Sequence, residues 1–488
     1  MPIDLNREST PVNPEDAKYI TMLANLQGGI LKSHGRFFAA HVFLTFAADA
    51  SKVRRWLSTF TARYVTSALR QHYETKEYRV NRISGRLFGG IYLSAAGYKN
   101  LGCEDLDKFV EEESPKTQTG ICFKDGMANF EFELGDKPRS DWEANFRDNQ
   151  IDALILLADD DPERLKDTTA RVQKSLKGTA KFFAQHGAVL RPEGKAIEPF
   201  GYRDGISETV FIQEDVEKAR QAGFDVWDSF APLKLALVKD PLTEKEDCFG
   251  SYLVYRKLEQ NVKKFKESEK ELAETLNIPE DKRELIGALM VGRFKNGVPV
   301  ELSATADADE NLIDFNNFGF VSDNEPSKNR CPYHSHIRRM NPRKESAFGK
   351  SGETVEEELE HRIVRRGIAY DHRERDAAGK LLHEGDPEKD VGLLFMCFQS
   401  SIPKQFGFMQ TIWANATNFF GEEGNGIDNI IGQNSSLNET SFQRWNARWG
   451  EDDDEPKSFC IKDCVTFKGG EFFFAPSIAF LRDLSEKV

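Results

Sequence analysis

Phenylalanine constrains this chain more than any other residue. There are 37 Phe against 11 Tyr and 6 Trp, and many of them fall in short apolar runs. Residues 37–46 read Phe-Phe-Ala-Ala-His-Val-Phe-Leu-Thr-Phe, and 153–158 read Ala-Leu-Ile-Leu-Leu-Ala. Two later runs, at 392–398 and 471–475, have the same character. Apolar runs of this length bounded by Gly, Asp or Pro are predicted to be buried strands. Helical patterns lie between them at 51–70, 161–186 and 262–276. Strands interleaved with helices in both halves predict an α+β fold. A strand near the start of each half and another after a long helix fit a split βαβ arrangement. The Lys- and Glu-rich stretch 240–281 is expected to carry a solvated surface helix. A second charged insert spans 350–361, and the acidic run at 451–455 reads as a solvated loop.

At 488 residues the chain is long for a single core, so two domains are the default. The formal net charge of -14, from 66 basic and 80 acidic residues, argues against a nucleic-acid or anionic-membrane partner. No stretch approaches the roughly 20 apolar residues of a spanning helix. The first residues lack a basic segment followed by an apolar one, so no secretory signal is expected. Seven scattered cysteines, an odd number, favour reduced thiols in a cytoplasm. Cys460 and Cys464 have no second pair nearby to complete a metal site and read as ordinary thiols.

Three segments carry candidate chemistry. The first is Phe200-Gly201-Tyr202-Arg203-Asp204-Gly205, a carboxylate between glycines that permit tight turns. The second is Cys331-Pro332-Tyr333-His334-Ser335-His336-Ile337-Arg338-Arg339-Met340-Asn341-Pro342-Arg343. Neutral imidazole is a common haem ligand, and arginine suits bidentate contacts to carboxylates. On its own this segment also fits a basic surface loop with solvated histidines. A zinc site on His334 and His336 as i, i+2 residues of a strand is a further reading, but no Cys or Glu cluster completes it. The third is Arg362-Ile363-Val364-Arg365-Arg366-Gly367-Ile368-Ala369-Tyr370, whose alternation predicts a strand projecting guanidinium groups.

Taken in this order, the three segments resemble the dye-decolorizing peroxidase family. Supporting matches include Gln27-Gly28-Gly29-Ile30 near the start, Gly250-Ser251-Tyr252-Leu253-Val254-Tyr255-Arg256, and Gly469-Gly470-Glu471-Phe472-Phe473-Phe474 near the end. The resemblance implies two ferredoxin-like domains, each an antiparallel sheet flanked by helices. They would span 1–215 and 216–488, with one haem b per chain held mainly by the second. It implies that His336 is the proximal iron ligand and Asp428 its carboxylate partner. The neighbouring His334 keeps the ligand assignment open, and the Arg-Arg-x-Asn-Pro-Arg tail favours His336. Asp204 would be the distal acid and base, Arg365 the distal cation, with Arg366 the second choice. Leu393 and Phe395 would form apolar distal walls, and Arg338 and Arg343 would meet the haem propionates. The sequence departs from the family where Glu208-Thr209 stand in place of a frequent Gln-Pro.

The implied reaction reduces hydrogen peroxide and oxidises bulky aromatic donors such as dyes and phenols by one-electron steps. Asp204 would move the peroxide proton, and a free carboxylate with a pKa near roughly 4 allows this at acidic pH. A donor too bulky to reach a buried haem would need an aromatic relay. Trp227, Tyr370, Trp413, Trp445 and Trp449 are candidates that read equally well as core residues. The alternative is a haem-binding or haem-handling protein with incidental turnover. That protein would need His336 but not both Asp204 and Arg365.

Overall fold

The computed structural model describes residues 3–486 except 104, 115–117, 192–193, 308, 323–324, 327–329, 351, 375–380, 383–384, 422–423, 434–441, 452–454 and 462–463. Most of the acidic run at 451–455 therefore lies outside the described residues.

Eight strands form one antiparallel path. They are β1 (Phe38–Phe46), β2 (Phe88–Leu93), β3 (Ala153–Asp159), β4 (Ala180–Ala188), β5 (Phe249–Gln260), β6 (Ile368–Asp371), β7 (Val391–Gln399) and β8 (Val465–Ala475). Their spatial order is β6-β7-β5-β8-β2-β3-β1-β4. Each half of the path reads fourth, first, third, second, the order of a split βαβ sheet. Helix α1 (Ala50–Tyr64) follows β1 and helix α2 (Pro162–Ser175) links β3 to β4. In the second half, α3 (Val262–Thr275) follows β5, and the π-helical turns Pro403–Gly407 and Met409–Ala414 follow β7.

Two boundaries differ from the sequence reading. The helical pattern at 161–186 runs through a break at Gly178, whose φ of +75° ends the helix and leads into β4. Strand β4 lies at one end of the path and keeps Phe182 exposed, so it lacks the dense apolar run that marked the inner strands. The helix at 262–276 is also more than a solvated element. Val262, Phe265, Leu272 and Ala273 are buried, and Phe265 stacks on Phe200 with ring centroids 4.3 Å apart. Its charged face masked an apolar stripe that supports the segment leading to Asp204.

The two halves meet where Phe474 of β8 pairs with Leu93 of β2. Gln27, fully buried, staples this seam. Its amide donates to the Ile91 carbonyl (2.8 Å) and the Pro476 carbonyl (2.9 Å), and its oxygen accepts from the Ile91 N–H (2.9 Å). The two ends of the path also approach one another. His372 Nε2 lies 2.9 Å from the His186 carbonyl, and a Cβ at Gly187 would meet Ile368 Cγ2 at 2.5 Å and the Ala369 carbonyl at 3.0 Å. Inside, Phe43 packs against Tyr255, Phe146 and Phe183 at 4.7–5.2 Å. Edge-to-face and stacked ring pairs of this kind add to simple burial, so the phenylalanine excess has a place to go. Among the described residues, no helix is long and apolar enough to cross a membrane.

The segment after β4 folds back through bridges Leu190–Ile197 and Ile197–Arg203, which makes a narrow tip just before Asp204. Glu198 organises that tip. Its carboxylate accepts from the Phe200 N–H (2.9 Å), the Tyr202 N–H (2.9 Å) and the Gln260 amide (2.6 Å) at the end of β5. Burial pushes this carboxyl up to about 7, against the pull of those donors.

Replacing Gly187 with valine is expected to open the β4–β6 approach and cost about 1–3 kcal/mol from overpacking, seen as a lower Tm with unchanged secondary-structure content. The raised Glu198 carboxyl favours the protonated fold, so its stabilisation is complete below its ordinary value of 4.5 and is lost as pH rises through about 7. The drop in Tm between pH 5 and pH 8 should therefore shrink by about 1–3 °C in Glu198→Gln. An unchanged slope in thermal melts would refute that role.

Candidate active site

His336 opens the short helix α4 (His336–Met340). Its Nδ1 lies 3.1 and 3.2 Å from the two carboxylate oxygens of Asp428. Asp428 is fully buried and also accepts from the Ile430 and Ile431 N–H groups, both at 2.8 Å. Burial alone would raise this carboxyl, but His336 and the two backbone donors hold it below the usual carboxylate range. Asp428 thus stays ionised and fixes the ring with Nδ1 as donor, which leaves Nε2 as the lone-pair nitrogen. The His336 side chain is 26% exposed, against 0% for Asp428.

His334 is different. It is buried against Trp445, with ring centroids 4.2 Å apart, and among the described residues its Nε2 has no hydrogen-bond partner. Burial beside Arg339 and Arg338 drives its pKa far down. Both histidines precede or begin a helix rather than lying in a strand, which removes the i, i+2 geometry of the zinc reading.

The distal elements converge on one loop. Gly201 (φ +98°) and Gly205 (φ +79°) adopt left-handed backbone on either side of Asp204, which explains the glycine spacing. Ser207 also adopts φ +61°, a conformation that costs a non-glycine residue energy and persists only when its surroundings fix it. Its hydroxyl bonds to Asn316 and accepts from Arg343 Nη2 at 2.8 Å. Arg203 bonds Asp314 at 2.6 Å and Tyr202 reaches Glu269 at 3.2 Å. The Asp204 N–H donates to the Ala196 carbonyl at 3.1 Å.

The arginine segment breaks in two around Arg366-Gly367, as Val364–Arg365 and β6. Arg365 pairs with Cys397 of β7, which puts it on the same face as Phe395 and Leu393 at alternate positions. Leu393 and Phe395 are the two half-exposed residues of an otherwise buried strand. Arg365 is 41% exposed and donates to the Ile206 carbonyl (3.0 Å), two residues beyond Asp204. Arg366 is buried instead, with Nε on the Gly29 carbonyl (2.6 Å), Nη2 on the Ile30 carbonyl (3.1 Å) and Nη1 on Glu208 (2.9 Å). The structure thus separates two arginines that the sequence left close, one spent on structure and one facing open space.

Arg338 and Arg343, expected at the propionates, are both buried among protein acceptors. Arg338 is fully buried, with Nε 2.9 Å from Glu345, further bonds to Glu345 and the Cys331 carbonyl, and its guanidinium 4.0 Å from the Tyr333 ring centroid. Arg343 is buried as well and donates to the Asn316 and Phe318 carbonyls (2.5 and 2.8 Å) and to Ser207. A buried guanidinium must find acceptors nearby; both arginines have protein ones, although Arg343 Nε has none among the described residues. Arg339 clamps α4 to the segment before Asp428. It donates to the carbonyls of Trp413 (2.6 Å), Ala416 (2.8 Å) and Gly426 (2.5 Å). Glu198 and Glu345 were missed, because an acid that caps a tip or pairs seven residues away has no sequence periodicity. Of the relay candidates, Trp227, Tyr370, Trp413 and Trp445 are buried, and Trp449 is half-buried.

A partly exposed imidazole fixed by a buried carboxylate, an apolar wall of Leu393 and Phe395, and a guanidinium on that same wall together suit a flat, apolar, iron-bearing ligand. The comparisons with known proteins agree. The DyP dimeric alpha+beta barrel domain matches residues 25–192. The multifunctional dye peroxidase DyP2 of Amycolatopsis sp. is 36% identical over 99% of this chain and 100% of that protein. The crystal structure of the Anabaena sp. DyP-type peroxidase matches with a TM-score of 0.87 and 38% identity, covering 99% of each chain. A dye-decolorizing peroxidase in complex with 2,6-dimethoxyphenol matches at TM-score 0.70 and 26% identity, over 95% of this chain and 99% of that one. Full-length identity of this order, on a shared fold with a haem-compatible site, means that this chain belongs to the dye-decolorizing peroxidase family of haem peroxidases.

Proposed function

We propose that the protein binds one haem b through His336 and reduces hydrogen peroxide at the expense of aromatic one-electron donors such as phenols and dyes. The observation that carries this reading is the pairing of His336 Nδ1 with the buried, ionised Asp428 on one side and the Arg365–Leu393–Phe395 face on the other. Haem, when bound, supplies the redox centre at which the O–O bond is cleaved. Asp428 fixes the imidazole tautomer and raises the basicity of Nε2. Leu393 and Phe395 exclude water beside the open face. Asp204 accepts a proton from hydrogen peroxide and returns it to the oxygen that leaves as water. Arg365 stabilises the negative charge that develops as the bond parts.

The C-terminal half, from about residue 216, would form most of the haem pocket, since His336, Arg365, Leu393, Phe395 and Asp428 all belong to it. The N-terminal half, to about residue 215, would contribute Asp204. All seven cysteines are thiols, which supports a reducing compartment such as the cytoplasm.

The haem-loaded protein should show a Soret band that changes stoichiometrically with hydrogen peroxide, and His336→Ala should lose or alter it. A band that peroxide merely bleaches would favour haem handling over turnover. Asp204→Asn and Arg365→Leu should each lower kcat/KM for peroxide by about 10²–10⁴-fold while leaving the resting spectrum in place. Wild-type turnover in the double variant would exclude the proposed distal chemistry. Asp428→Asn should weaken haem retention by about 10–100-fold, measured by transfer to apomyoglobin.

A further inference from the structure

Glu208 stands between the two arginines. One carboxylate oxygen lies 2.9 Å from Arg366 Nη1 and the other 3.4 Å from Arg365 Nη2. The two contacts are unequal in kind. Arg366 has a side chain only 5% exposed, and its other donors are spent on the carbonyls of Gly29, Ile30 and Arg365. It cannot move without stranding several buried donors. One end of Glu208 is thereby anchored. The free end faces Arg365, whose other protein contact is the Ile206 carbonyl at 3.0 Å. At 3.4 Å that contact is a long hydrogen bond, so it restrains the guanidinium weakly in geometry while its charge still acts. Both contacts use Nη2, so among the described residues Nε and Nη1 of Arg365 make no protein hydrogen bond.

We propose that Glu208 is a positioning residue for Arg365. Held by Arg366, its carboxylate sets the resting position of the distal guanidinium and offsets its charge, and so limits how tightly the open face holds a small anion. The inference rests on the reading that Arg365 faces the haem. It goes beyond that reading by assigning a role to a carboxylate that touches neither substrate nor cofactor. The physical consequence is selective: removing the charge of Glu208 leaves Arg365 less neutralised, which matters to an anion and not to a neutral ligand.

The test uses the ferric haem-loaded protein, titrated with fluoride and separately with imidazole by absorbance at one pH. Glu208→Gln keeps an oxygen for Arg366 but removes the charge. It should tighten fluoride about tenfold, equivalent to about 1.4 kcal/mol, and leave imidazole within about twofold. In an Arg365→Leu background the same change should fall to less than about threefold, because the group it acts through is gone. Fluoride and imidazole affinities that shift together, or not at all, while Arg365→Leu alone weakens fluoride, would overturn the proposal and leave the distal assignment intact. If Arg365→Leu leaves fluoride unaffected, the distal assignment itself fails and takes this inference with it. Should Glu208→Gln not retain haem, Glu208→Asp withdraws the charge by one methylene and should tighten fluoride by about threefold; no tightening there refutes the role.

Discussion

A single buried guanidinium, Arg366, ties together parts of the chain that are hundreds of residues apart. It reaches the Gly29 and Ile30 carbonyls, 337 and 336 residues away, and the carboxylate of Glu208 at a separation of 158. Burying a guanidinium is costly unless its donors are satisfied, so the N-terminal strap, the Asp204 loop and the arginine strand are locked in one arrangement. Arg365 is then held at the site as the neighbour of a residue that cannot move. The same logic recurs on the other side, where Arg339 binds three carbonyls of the segment before Asp428 and so presents Asp428 to His336.

The two sides are also joined directly. Arg343, at the end of the proximal segment, donates to Ser207 on the distal loop, and both contact Asn316. Four arginines that the sequence offered as propionate or distal groups therefore divide into separate tasks, with Arg366 the structural tie. Arg338 and Arg343 brace the backbone, and Arg365 is exposed to the site. What distinguishes them is burial, with Arg338 and Arg343 enclosed and the Arg365 side chain 41% exposed, a property of the fold and not of the local sequence.

Much of the architecture was legible because it rests on local chemistry. The inner strands announced themselves as apolar runs, and the glycines around Asp204 marked left-handed backbone. Asp428 and His336 were found by resemblance and then met at 3.1 Å. The parts that escaped depend on long-range partners. Strand β4 lacked a dense apolar run because it lies at an end of the path, where one face is less enclosed. The burial of Phe265 was hidden by the charges on the rest of its helix. The partners of Arg338 and Arg343 depend on Glu345, Asn316 and Phe318, which no spacing rule connects to them. Glu208 was visible as a departure from the family pattern, but its position between two arginines required the fold.

The Gln27 staple carries a consequence for how the molecule is made. Its amide bonds to the Pro476 carbonyl across 449 residues, and β8 supplies the strand that joins the two halves. Within the first half, Gln27 and Thr66 already bond to the Ile91 and Gly89 backbone of β2, so what β8 adds is the Phe474–Leu93 pairing and the Pro476 carbonyl for Gln27. Closure of so long a loop is entropically slow. A chain that ends short of β8 can hold every residue named at the site, yet it lacks the strand that joins the two halves of the sheet.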